Sequence, residues 1–111
     1  MKLPSEAAIA PEKVRDYLLV KQDRSDKSAF LERGGYTRES AERLIAHLHA
    51  LCAANDASFL DENQFGRYYE CVGDLPGAGG RPLRVRTIWM TEHLSGVTKF
   101  ITLIPIEILR Q

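Results

Sequence analysis

The order of patterns in this chain predicts an α+β fold: three N-terminal helices followed by a curved antiparallel sheet of three to four strands. Three observations carry that prediction. Apolar residues recur at helical spacing between residues 11 and 52, and they alternate with polar residues at strand spacing between residues 58 and 104. The strand-like runs are joined by connections too short for a parallel crossover, which needs a dozen or more residues. At 111 residues there is room for one core. Residues 1–111 therefore read as a single domain, with an N-terminal arm over 1–10 and a packed tail over 106–111.

Pro11 suits the first turn of a helix, where its missing N–H has no helical partner, and Glu12 suits the positive end of the helix dipole. Val14, Tyr17, Leu18 and Leu19 continue the spacing and predict a first helix over Pro11 to Val20. Ser25 or Asp26 would cap a second, over Asp26 to Arg33, with Ala29, Phe30 and the stem of Arg33 turned inward. Gly34-Gly35 would end it, because glycine enters the left-handed region without a Cβ clash. Thr37 caps the third and longest helix, whose stripe is Ala41, Leu44, Ile45, Leu48, Leu51 and Cys52, with Asn55-Asp56 as its end. Strands follow over Ser58 to Asp61, Arg67 to Asp74, Leu83 to Thr91 and Thr98 to Ile104, separated by turn-forming stretches that include Gly77-Ala78-Gly79-Gly80.

Composition excludes several classes. Fifteen Lys+Arg balance fifteen Asp+Glu, so the body as a whole is not an electrostatic glove for nucleic acid. No window approaches the ~20 apolar residues of a membrane span. The opening Met1-Lys2-Leu3-Pro4-Ser5-Glu6 lacks the unbroken apolar run of a signal peptide, so a cytoplasmic location is expected. Cys52 and Cys71 lie in different elements, without a CxxC pattern, and read as buried free thiols. His47 and His49 are two apart on a helix and do not share a face. No metal site and no cofactor is expected. GxSxG, GxxxxGK[ST] and HExxH are absent, and the glycine cluster joins two strands rather than opening a helix.

The segment richest in chemistry is Arg81, Arg84, Arg86, Thr87 and Trp89. Arg84 and Arg86 project from one side of a strand, with guanidiniums about 7 Å apart, a spacing that suits a phosphate backbone. Tyr68, Tyr69 and Trp89 would offer stacking faces nearby. The other reading is structural: residues 56–74 hold five acids against Arg67 alone, and Glu70 would pair with Arg84 or Arg86 across the sheet. Lys27 stands at the start of the second helix, where a cation is mildly unfavourable, so either solvent exposure or a need for positive charge explains it.

Glu12 to Leu19, Lys27-Ser28-Ala29-Phe30 with Gly35-Tyr36-Thr37, Phe65-Gly66-Arg67-Tyr68-Tyr69, Val85 to Trp89 and the Thr98 to Leu103 strand together resemble a bacterial domain family of unknown function. That family occurs alone and at the C-termini of polymorphic-toxin and phage proteins. The resemblance covers about Pro11 to Pro105 and implies kinship with the barnase/EndoU/colicin/RelE-like ribonucleases, which cleave RNA without metal. By position, Lys27, Arg86, Thr87, Trp89 and Thr102 match the recurring residues. The resemblance makes Lys27 and Arg86 the groups that neutralise phosphate, and Thr102 or Thr87 the hydrogen-bond donor. Ser25-Asp26 stand where the family has a glycine and a basic residue.

Two functions are therefore expected. The first is a non-catalytic protein-binding module in a toxin, immunity or phage context, docking a partner or a second copy. The alternative is a metal-independent, ribonuclease-like toxin domain with Lys27, Arg86 and Thr102 as catalytic residues and Tyr68, Arg84, Thr87 and Trp89 as binding residues. The sequence leaves open whether the protein is an enzyme.

Overall fold

The alternating run forms four strands, β1 (Ala57–Glu62), β2 (Gly66–Leu75), β3 (Leu83–Glu92) and β4 (Thr98–Pro105). They pair antiparallel in the order β1-β2-β3-β4, a meander. The computed structural model describes residues 1–22, 26–77 and 82–106. Burial follows the strand period. Tyr69, Cys71 and Leu75 of β2, Val85, Thr87 and Trp89 of β3, and Phe100 and Leu103 of β4 are buried on one face. The opposite face carries Tyr68, Glu70 and Val72, then Arg84, Arg86 and Ile88, then Thr102 and Ile104. The β3–β4 register shifts between Ile88 and Trp89, leaving Ile101 as the extra residue.

α1 (Pro11–Lys13) runs into a wider π-type turn over Val14–Leu18. It stops two residues short of the expected Val20, where the Leu19 N–H donates to the Val14 carbonyl at 3.0 Å. The wider turn brings Val14, Leu18 and Leu19 together into the core. α2 (Ser28–Arg33) also begins later than expected: Lys27 is its N-cap, without a side-chain cap bond, and Asp26, the expected cap, stands one residue further out. Asp26 Oδ1 accepts from the Ser28 N–H at 3.2 Å and from its hydroxyl at 2.8 Å. Ser25 lies outside the described residues. The inward residues of α2 are Phe30 and Leu31, not Ala29 and Arg33, which are exposed. The Arg33 guanidinium lies 5.3 Å from the Phe30 ring centre. Gly35 follows with φ 84°, the left-handed conformation anticipated for a helix end.

α3 (Ala41–Ala54) is preceded by a 3₁₀ turn, Arg38–Ser40, in which Ser40 Oγ accepts from the Thr37 N–H at 2.9 Å. Leu44, Leu48, Leu51 and Cys52 form its buried stripe. Gly73 makes its close approach to β2 possible. A Cβ there would lie 2.7 Å from Asn55 Nδ2 and 3.0 Å from Leu51 Cγ.

The arm modifies the simple order of helices before strands. Ala57 N–H donates to the Met1 carbonyl at 2.6 Å, at one edge of the sheet. Ala8 N–H donates to Thr98 O, and Phe100 N–H to Ala8 O, both at 2.8 Å, at the other edge. The arm thus passes from the β1 edge to the β4 edge, burying Leu3, Ala7 and Ile9. Of the expected tail, Ile106 donates its N–H to Arg84 O at 2.9 Å, and residues 107–111 lie outside the described residues.

Candidate functional site

The middle of the β3–β4 ladder brings three of the expected site residues to one neighbourhood. Glu70, Ile88 and Thr102 form one cross-strand row on the open face, and Val72, Arg86 and Ile104 form the next. Thr102 is therefore a diagonal neighbour of Arg86. Lys27, at the start of α2, reaches this strand from the side. Its Nζ donates to Thr102 Oγ1 at 2.8 Å across 75 residues of sequence.

Their electrostatics differ. Arg86 is held by Glu70 through two bonds, Nε to Oε1 at 2.9 Å and Nη2 to Oε2 at 3.2 Å. That bidentate pair holds the guanidinium above its usual value, chiefly through the hydrogen bond. The pair remains partly open to solvent. Arg84 pairs with Asp74 at 3.2 Å rather than with Glu70. Lys27 has no carboxylate partner among the described residues. Partial burial is the first cause holding it below the usual lysine value, and the neighbouring charge of Lys13 is the second. Lys13 is lowered in the same way, by burial and then by Lys99. Three ammonium groups thus stand along the β4 edge, and only Lys99 is paired among the described residues, to Glu92 at 2.9 Å.

Thr87 and Trp89 do not join this corner. Both are fully buried. The Trp89 indole N–H donates to Thr87 Oγ1 at 2.8 Å, and the Thr87 hydroxyl donates to the Cys71 carbonyl at 2.7 Å. Trp89 packs edge-on against Phe100 with ring centres 5.3 Å apart. A base has no access to that indole, nor a phosphate to that hydroxyl. Tyr68 is half-buried on the open face, and its hydroxyl accepts from Asn63 Nδ2 at 3.3 Å.

The pairing of Glu70 with Arg86 across the sheet is the structural alternative read from the sequence, and Arg84 takes Asp74 instead. One feature carried no signal in the sequence. Tyr36 links three segments: its hydroxyl lies 2.7 Å from His47 Nδ1 and accepts the Gly77 N–H at 3.0 Å. Burial pushes the Tyr36 phenol up, so it keeps its proton. A long-range aromatic hydroxyl has no periodicity to betray it. Cys52 and Cys71 are free and buried, as read. The contact between the two thiols is the main influence on each, pushing Cys52 up and Cys71 down. Among the described residues no group of three or more His, Cys, Asp or Glu could hold a metal. No helix among them is long and apolar enough to cross a membrane.

Helices packed on one face of a four-stranded antiparallel meander, with a basic corner at one edge, define an α+β domain of the class anticipated from the pattern. The chain belongs to the family described as a domain of unknown function (DUF6883), whose model matches residues 2–107. A solved chain of the contact-dependent growth inhibition toxin–immunity protein complex from Klebsiella pneumoniae 342 is similar at a TM-score of 0.70 and 16% identity. The likeness covers 93% of this chain and 96% of that one, and at this identity it is a likeness of fold. No curated protein matches the sequence.

Proposed function

We propose that this domain is a ribonuclease-like toxin module that binds RNA phosphate at the corner formed by Lys27, Thr102 and Arg86. The observation that carries the reading is the 2.8 Å bond from Lys27 to Thr102. It joins a half-buried ammonium, without a carboxylate among the described residues, to a hydroxyl on the face that also bears Arg86. The ammonium donates to the Thr102 oxygen, whose own hydroxyl is directed at the Leu103 carbonyl at 3.4 Å, and the remaining ammonium N–H groups are the donors a phosphate oxygen accepts from. The fold shared with a chain of a toxin–immunity complex supports the setting.

The chemistry needs no metal. Glu70 and Thr102 flank Ile88 in one row, two strand spacings or about 10 Å apart. Glu70 takes the proton of a ribose 2′-hydroxyl, and the freed oxygen bonds to phosphorus. The bond from phosphorus to the 5′-oxygen breaks, and the Lys27 ammonium returns a proton to that oxygen. Its lowered pKa makes it a better acid than a free lysine. The test is cleavage of tRNA, rRNA and mRNA by purified protein in the presence of a chelator. Products ending in a cyclic phosphate are expected. Lys27→Ala, Arg86→Ala and Glu70→Gln should each lower the rate at least ~100-fold, the scale of positioned acid–base and electrostatic groups. No cleavage of any of the three RNAs removes the catalytic reading.

A second reading is a non-catalytic module that docks a protein on the open sheet face. What favours it is that Val72 and Ile88 are only half-buried there, and Ile104 is exposed. Producing the domain inside bacteria separates the two. Growth stops under the toxin reading and continues under the docking one.

A further inference from the structure

We infer that Lys13 and Lys99 extend the phosphate site along the β4 edge, so that the ligand is single-stranded RNA engaged through at least two successive phosphates. This rests on the phosphate-binding reading above. A groove of about 560 Å³ lies beside β4, walled by Ile9, Val97 and Ile101 and carrying the side chains of Lys13, Glu92 and Lys99. It ends at Ile101, next to Thr102, where Lys27 is bonded. With Ile101 as the extra residue, Lys99 and Thr102 stand opposite Met90 and Ile88, two residues or about 7 Å apart along β3, a stretch one phosphate does not span.

The charges in this groove are poorly compensated. Lys13 repels both Lys27 and Lys99, and none of the ion pairs among the described residues includes it. Glu92 is the groove's carboxylate and is bound to Lys99, but an ammonium has three donors and Lys99 keeps N–H groups for a further acceptor. A chain of phosphates lying along the edge would relieve the repulsion. The aliphatic wall of Ile9, Val97 and Ile101 gives the bases an apolar surface to lie against, which a polyacidic peptide lacks the apolar groups to use.

The experiment is anisotropy of a fluorescent single-stranded RNA of about ten nucleotides, between about 50 and 200 mM salt. It compares the wild type with Lys13→Gln, Lys13→Arg and Lys27→Ala. A mononucleotide and polyglutamate serve as competitors, and melting curves check folding. Lys13→Gln should weaken oligonucleotide binding about fivefold and reduce the salt slope by about 0.7. Lys13→Arg should retain binding, and mononucleotide affinity should not change in either Lys13 variant. An unchanged slope and affinity in Lys13→Gln, while Lys27→Ala weakens binding, overturns the extension and leaves the first site standing. A wild type that binds no RNA overturns both. Binding of polyglutamate in place of RNA, with the same dependence on Lys13, overturns RNA as the ligand.

Discussion

Thr87 and Thr102 occupy adjacent rows of the β3–β4 ladder on opposite faces of the sheet, Thr87 opposite Leu103 and Thr102 opposite Ile88. Thr87 is sealed in the core. Its hydroxyl donates to the Cys71 carbonyl, its oxygen accepts the Trp89 indole N–H, and full burial keeps any ligand away. Thr102 is half-buried at an edge, where its oxygen accepts from Lys27, which Lys13 repels, and its hydroxyl is directed at the Leu103 carbonyl at 3.4 Å. The same side chain lies in a sealed core in one place and meets an accessible charge in the other. Among the described residues no buried side-chain polar atom lacks a partner. The unsatisfied element is therefore charge rather than a missing hydrogen bond, and it lies at the edge, where a ligand has access.

Breaking the sealed side should have the larger effect on stability. Trp89→Ala removes a fully buried indole and should cost about 3–5 kcal/mol, read by denaturant unfolding. Thr87→Val leaves the indole N–H without its acceptor and should cost about 1–3 kcal/mol in the same measurement. Arg86→Ala breaks a partly exposed pair and should cost about 1 kcal/mol or less, so any large loss of activity in that variant is not a folding defect.

On the open side the sign should reverse. Lys13 is held below its ordinary 10.5, so between its folded and unfolded values the unfolded chain holds more protons. The stability linked to its neutral form is complete above the unfolded value and is lost as pH falls through the folded one. Removing the charge should therefore raise the melting temperature at neutral pH. Lys13→Gln is expected to gain on the order of 1 °C, with the gain shrinking as pH rises toward 10.5. A variant that is slightly more stable and binds RNA less well would mark Lys13 as a group kept for a ligand.

The strands were legible because alternation and turn residues coincide from residue 57 onward, and the observed bounds lie within a residue of those read from the pattern. α3 was legible from its stripe. The helical entry segments were less so. A π-type turn shifts which residues meet the core, and α2 starts at Ser28 behind Lys27 as N-cap, with Asp26 bonded to Ser28 from outside the helix. Lys27 stood out by its place at a helix start, but Thr102 was named only from the family resemblance, since nothing in residue spacing links positions 75 apart. The role of Trp89 was misjudged for a related reason. Alternation placed it on a face with Thr87 and Val85, but did not say that α3 and the arm would cover that face. Lys13 was missed because a lysine early in an amphipathic helix looks solvated. Its significance comes from the Lys99 charge brought beside it by the sheet edge.

The most direct measurement is an NMR titration of labelled protein with a short single-stranded RNA, following the side chains of Lys13, Lys27 and Thr102 beside the Trp89 indole N–H. The expected result is a saturable shift of the first three and an indole signal that stays in place. Shifts centred on the indole and Thr87, or no shifts at Lys27 and Thr102 at saturating RNA, would contradict the division between a closed core and an open edge.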